Sequence, residues 1–331
     1  MKKIAVIGAG AWGTALAMVA QRAGREVVLQ AREPEVADAV NRRHENAVFL
    51  PGHKLHESIT ATVDPIAAAT DADGIFLVVP AQHLRTVSDA LRPALKDGVP
   101  VVICAKGIEQ GTCALMSEVI EETLPGTETA ILSGPTFAGE VAAALPTAVT
   151  LASADEDRGM AIAEAVGTPF FRIYTSTDVI GAQIGGAVKN VLAIACGIVE
   201  GRKMGDNTRA ALITRGLAEI VRLGRAKGGR AETLMGLSGI GDLTLTCNAI
   251  QSRNFSLGVA LGEGRTLDDI LRERQSVAEG VFTAASVTDL AQRLGVEIPI
   301  CAAVDSILNR EADIDRTTQG LLSRPFRSEA P

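Results

Sequence analysis

Six residues near the amino terminus, Gly8-Ala9-Gly10-Ala11-Trp12-Gly13, constrain the fold more than any others in the chain. They follow Lys3–Ile7, a β-rich apolar run, and lead into Ala15–Ala23, which reads as a helix. Glu26–Gln30 reads as the next strand. A G-x-G-x-x-G turn between a strand and a helix, inside one βαβ unit ending at Ala31, is the fingerprint of a dinucleotide-binding loop. Each glycine has its own reason. Gly8 permits the tight turn, Gly10 lets the backbone approach a pyrophosphate, and Gly13 lets the helix pack close to the strand. The helix then presents free N–H groups and partial positive charge to the phosphates.

The first half of the chain repeats that alternation. Ser58–Val63, Gly74–Val79, Pro100–Ala105, Thr129–Ser133, Ala148–Ala152 and Phe170–Thr175 read as further strands. Runs apolar throughout suit strands covered on both faces. With helices between them, they predict an α/β fold with a doubly wound, mostly parallel sheet of the Rossmann type. After Asp178 the β-rich runs stop. Ile180–Val199, Thr208–Ala226, Leu267–Glu273 and Phe282–Leu294 have helical spacing and length. The 331 residues thus divide into an NAD(P)-binding domain, 1–180, and an all-helical substrate domain, 181–331. The tail from Thr317 onward reads as loose.

Composition removes several classes of function. The formal net charge is −7, and no cluster of Lys and Arg offers a footprint for phosphodiester backbones. Aromatic residues are 3%, too few for base-stacking platforms, so no nucleic-acid partner is expected. Cys104, Cys113, Cys196, Cys247 and Cys301 are odd in number and never paired in a C-x-x-C. They read as small buried hydrophobes in a reducing cytoplasm, not as a disulfide framework or zinc site. His53 and His56 read as part of a polar loop, and no metal is expected. His83, just past a strand end, is a minor site candidate. No histidine lies in the second half, which disfavours a hydroxyacid dehydrogenase with a histidine base there. The apolar amino-terminal run breaks at once on glycines, unlike a signal peptide. The weakly charged stretch between Asp178 and Glu200 carries Lys189 at its centre, which a membrane span would resist. The expectation is a cytoplasmic protein without membrane insertion.

Four places carry chemistry. At the end of the second strand stand Arg32 and Glu33. An arginine there suits the 2′-phosphate of NADPH, and a carboxylate the 2′-hydroxyl of NADH. Arg32 is nearer the strand end, so NADPH is favoured, with NADH possible. Lys106 directly follows an apolar strand, where it is either a surface lysine or a site residue. Lys189 shares a helical face with Gly185, Gly186, Ala193 and Cys196. It is either a snorkelling residue or a desolvated amine whose lowered pKa suits acid–base work. Asp242 follows Gly239 and Gly241, a turn that would leave it free to face a ligand. Ser252-Arg253-Asn254 is either a phosphate grip or a helix cap beside a surface arginine.

Taken in order, these motifs resemble the bacterial NAD(P)-dependent glycerol-3-phosphate dehydrogenases over nearly the whole chain. The resemblance rests on Gly8–Gly13 with Thr14, Lys106-Gly107 and Ser133-Gly134-Pro135-Thr136-Phe137-Ala138. It continues through Gly186-Ala187-Val188-Lys189-Asn190, Gly239–Leu243, Ser252-Arg253-Asn254 and Val277-Ala278-Glu279-Gly280. It implies reversible reduction of dihydroxyacetone phosphate to sn-glycerol 3-phosphate, a supply reaction for glycerophospholipids. It implies a helical domain like that of the 6-phosphogluconate dehydrogenase superfamily, and a homodimer. By the same resemblance Lys189 is the proton acceptor, and Lys106 touches both cofactor and substrate. Gly134, Thr136, Asp242, Ser252, Arg253 and Asn254 match substrate contacts. Ala11, Trp12, Arg32, Ala138, Arg253, Val277 and Glu279 join Gly8, Gly10 and Gly13 at the cofactor. Thr136 stands where many relatives carry serine and keeps the hydroxyl. Two competing readings are a ketopantoate-type or β-hydroxyacid reductase, which needs no Ser-Arg-Asn grip, and a cofactor-sensing module without turnover.

Overall fold

A computed structural model describes residues 1–273, 278–326 and 328–329. Eight strands form one sheet in the order β3-β2-β1-β4-β5-β6-β7-β8. They are β1 Lys3–Ile7, β2 Glu26–Gln30, β3 Ile59–Thr62, β4 Gly74–Leu77, β5 Val101–Ile103, β6 Thr129–Ser133, β7 Thr147–Ser153 and β8 Phe171–Ser176. Every neighbouring pair is parallel except β6 and β7. The strand order reverses between β1 and β4, which opens a crevice at the carboxyl ends there. All eight expected strands are present. β4 and β5 stop short of the apolar runs that encode them, but Val78 and Cys104 still donate one further bond each, to Ile7 and Leu77. Apolar cores lie on both faces of the sheet, as the uniformly apolar strands require.

The helical half is organised by Val179–Gly201, a 23-residue helix capped by Asp178, whose side chain accepts from the Gly181 N–H. Every residue from Gly181 to Val199 is buried. The helix is long and apolar enough to cross a membrane, but neighbouring helices sheathe it here. A helix apolar all round belongs in a core. The helix Arg253–Gly262 packs on it through glycine. A Cβ on Gly258 would lie 2.9 Å from Gly197 Cα, and one on Gly262 would lie 3.0 Å from Gly201 Cα. The two backbones therefore touch with no side chain between them.

The carboxyl-terminal segment departs from expectation. Ile314–Leu322 is a helix, so the chain past Thr317 stays ordered for another turn. Asp313 caps it by accepting from the Arg316 N–H, and Ile314 packs against the helical core. The cap is a local signal that polar composition outweighed in the sequence.

Candidate active site

The glycine loop has the shape its sequence demands. Gly8 has φ +109°, and a Cβ there would sit 2.6 Å from the Val78 carbonyl oxygen. A Cβ on Gly13 would run into the Gly8 carbonyl. A Cβ on Gly10 would meet nothing within 4 Å. Gly10 thus borders open space in front of the helix Ala11–Arg22, which it caps and which begins earlier than the expected Ala15. No side chain caps that helix and no acidic residue sits in its first turn. Its leading N–H groups are left for an anion, which fits a pyrophosphate. Ala11 and Trp12 are half-buried beside it, and the Trp12 ring lies 6.4 Å from that of Phe171.

Arg32 projects just past β2 with its side chain 89% exposed. Its Nε and Nη2 donate to Glu33 Oε1 at 2.9 and 2.7 Å. The two residues that argue for different cofactors are therefore one ion pair.

The second half of the site is a charge cluster. Lys106, just beyond β5, donates through Nζ to the Gly134 carbonyl at 3.1 Å and to Asp242 Oδ2 at 2.6 Å. Lys189 Nζ, buried in the long helix, donates to Asp242 Oδ1 at 2.6 Å and Thr246 Oγ1 at 2.8 Å. One fully buried carboxylate thus holds two ammonium groups. Burial, helped by the nearby Lys106 charge, lowers the Lys189 pKa to about 8, although Asp242 works to raise it. Small residues make the cluster possible. A Cβ on Gly186 would lie 2.8 Å from Ser133 Oγ and 3.5 Å from Lys106 Cγ.

Asp242 corrects the sequence reading. It is not free in a turn. It is the first residue of the helix Asp242–Asn248, entered through one wide π-type turn, Leu237–Gly241, and both its oxygens are engaged. That helix puts Thr246 one turn on, beside Lys189. Thr246 escaped the sequence reading, though its i,i+4 spacing from Asp242 was available.

The Ser-Arg-Asn triplet divides. Ser252 caps the helix Arg253–Gly262, accepting from the Phe255 N–H at 3.2 Å. Asn254 donates to Asn190 Oδ1 at 2.9 Å and accepts from the Gly280 N–H at 3.0 Å. Capping is therefore the role visible for Ser252, and Asn254 ties three helices together. Arg253 is exposed, and its charge, with those of Lys106 and Lys189, opposes the rise that burial imposes on the Glu279 pKa. Glu279 Oε1 accepts from the Ala81 N–H at 3.1 Å, joining the helical half to the crevice wall after β4. Thr136 Oγ1 donates to the Gly134 carbonyl at 3.2 Å, and Ala138 opens the short helix Ala138–Ala142. Val277 lies outside the described residues. His83 is exposed on the turn Ala81–His83, apart from the hydrogen bonds that join the cluster. His56 Nδ1 bonds Ser58 Oγ at 2.8 Å. Among the described residues no group of three or more His, Cys, Asp or Glu could hold a metal ion. All five cysteines are free and buried.

β1, β4, β5 and β6 run parallel, so the glycine loop, Lys106 and Gly134 stand at one end of the sheet. An open glycine loop before an uncapped helix and a buried lysine paired with Asp242 fit an NAD(P)-dependent oxidoreductase of the Rossmann class. Comparison with known proteins narrows this. Profiles of the amino- and carboxyl-terminal parts of NAD-dependent glycerol-3-phosphate dehydrogenase match residues 3–159 and 178–319. A glycerol-3-phosphate dehydrogenase [NAD(P)+] of Parvibaculum lavamentivorans is 59% identical over 99% of this chain and 98% of that one. One from Rhodospirillum rubrum is 60% identical over 98% of this chain and 93% of that one. The crystal structure of glycerol-3-phosphate dehydrogenase from Coxiella burnetii superposes with a TM-score of 0.94 at 40% identity, covering 98% of this chain and 99% of that one. The chain belongs to the NAD-dependent glycerol-3-phosphate dehydrogenase family.

Proposed function

We propose that the protein interconverts dihydroxyacetone phosphate and sn-glycerol 3-phosphate, with Lys189 as the proton-transferring residue. The observation that carries this reading is the buried Lys189 sharing Asp242 with Lys106. A dinucleotide held along the glycine loop Gly8–Gly13 would supply or accept the hydride at C2. Negative charge builds on the C2 oxygen during reduction, and Lys189 stabilises it and delivers the proton. In the oxidative direction Lys189 takes that proton. Asp242 orients both amines, and Thr246 fixes the direction of the Lys189 Nζ. Lys106, whose Nζ is held by the Gly134 carbonyl, is the proposed contact to both substrate and cofactor. Arg253 is the cation for the substrate phosphate, with Ser252 and Asn254 holding the helix that carries it. Gly134 and Thr136 line the substrate side. Gly8, Gly10, Ala11, Trp12, Gly13, Ala138 and Glu279 surround the cofactor. Remote binding of the phosphate then positions C2 for attack.

Arg32, exposed at the end of β2, supports a preference for NADPH. We also propose that the protein is a homodimer. An apolar groove of about 1360 Å³ on the outer face of the helical half supports this, with Leu322 and Phe326 exposed at its edge.

Absorbance at 340 nm tests the assignment, with purified protein, dihydroxyacetone phosphate and either reduced cofactor. Oxidation that requires the phosphorylated ketone is expected. Equal turnover of a phosphate-free ketoacid would replace this assignment with a ketoacid reductase.

A further inference from the structure

The glycine loop is braced from outside by a residue with no part in the motif. Asn46 lies in the connection between the helix Pro34–Arg43 and β3, and it is 1% exposed. Its Nδ2 donates to the Ala9 carbonyl at 2.8 Å and to Thr14 Oγ1 at 2.8 Å. Thr14 Oγ1 in turn donates to the same Ala9 carbonyl at 3.3 Å. Asn46 Oδ1 accepts from the Phe49 N–H at 3.2 Å, and its backbone carbonyl from the Leu50 N–H at 2.9 Å. The side chain therefore spends its whole amide on fixed partners, two of them in or next to the loop.

The consequence is geometric. A trans peptide is planar, so its C=O and N–H point in opposite directions. Asn46 and Thr14 draw the Ala9 carbonyl inward. The Gly10 N–H of the same peptide is thereby turned outward, to the side where the helix leaves its leading amides unbonded. We infer that Asn46 is a positioning residue for dinucleotide binding: it sets the Ala9–Gly10 peptide so that the Gly10 N–H faces the pyrophosphate. Pyrophosphate is common to NADH and NADPH, so Asn46 governs affinity for both alike, in contrast to Arg32. The inference rests on the cofactor lying along the glycine loop, as proposed above.

Asn46→Asp is the sharpest test, because it keeps the size and the acceptor for Phe49 N–H but faces the Ala9 carbonyl with an oxygen. The reading is a fluorescence titration of NADH and NADPH, with kcat and the KM for dihydroxyacetone phosphate measured at saturating cofactor. The expected result is a dissociation constant raised roughly tenfold or more, by the same factor for both cofactors. Turnover and ketone KM should stay within about twofold, as for a loss of binding without loss of transition-state contacts. A folded variant that binds both cofactors like the wild type overturns the inference. So does one that loses turnover at saturation with cofactor affinity intact, or that loses affinity for only one cofactor. If Asn46→Asp does not fold, Thr14→Val removes one arm of the brace, and unchanged cofactor affinity there is equally fatal. A wild-type protein that binds neither cofactor would instead remove the reading of the loop itself.

Discussion

Lys189 has its pKa lowered to about 8, chiefly by burial. With Lys189 as the proposed proton donor, reduction of the ketone needs the protonated amine. Its rate should therefore be flat below that value and fall as pH rises through it, while the oxidative rate rises over the same range. Initial rates measured in both directions across the transition check the sign. Lys189→Ala should lower turnover by roughly a factor of 10² to 10⁴, with cofactor affinity kept. Arg32→Ala should weaken NADPH by roughly tenfold or more, the scale of a lost charge-assisted contact, and leave NADH nearly unchanged. Equal effects in a direct titration would take Arg32 away from the 2′-phosphate. At this scale the sequence was legible where chemistry stands alone. Lys189 is conspicuous as the one charge between Asp178 and Glu200, and Lys106 as a cation at an apolar strand end. Asp242 was found, but its surroundings were not, because a wide helical turn and a glycine turn look alike in one dimension. Asn46 carries no periodicity or motif of its own, and its role exists only through contacts 32 and 37 residues away.

Among elements, the helix Arg253–Gly262 sits where it does because Gly258 and Gly262 let its backbone meet that of Val179–Gly201. This contact brings Asn254 to Asn190 and holds Arg253 beside the lysine helix. Gly258→Ala would push a methyl to 2.9 Å from Gly197 Cα, so chemical denaturation should show a loss of about 1–3 kcal/mol. Gly320→Ala is the control. Nothing lies within 4 Å of a Cβ there, and stability should hold or rise by about 0.5–1 kcal/mol. Similar losses in both would mean that close approach is not the reason. The strands were legible because hydrophobic runs of their length bury on both faces. The helix Ile314–Leu322 was not, since its apolar residues are few and its stability comes from a cap and from packing against distant sequence.

For the whole molecule, the sheet half and the helical half share material. Ile108, Cys113 and Leu115, which follow β5, are buried in the helical core. Gln183 of the long helix accepts from the Ser117 N–H and donates to Ser117 Oγ. Arg293 reaches the carbonyls of Gly111 and Thr112. Such stitching is invisible in a sequence that changes texture at one point. The apolar groove of the helical half was equally hidden, because its lining comes from helices far apart in the chain. Sedimentation velocity should find twice the monomer mass, and Leu322→Glu at the groove edge should shift it toward one copy. A wild-type protein that stays monomeric at micromolar concentration would refute the dimer.

One carboxylate between two ammonium groups leaves that trio one positive charge in excess, since Asp242 neutralises only one of Lys106 and Lys189. A substrate site built around that trio should behave as a small ion exchanger. Before the ketone arrives it should attract whatever compact anion the solution offers, so that the phosphorylated substrate would enter by exchange. The buffer is then a participant. At equal ionic strength, inorganic phosphate or sulfate should raise the apparent KM for the phosphorylated substrate where a bulky organic anion does not.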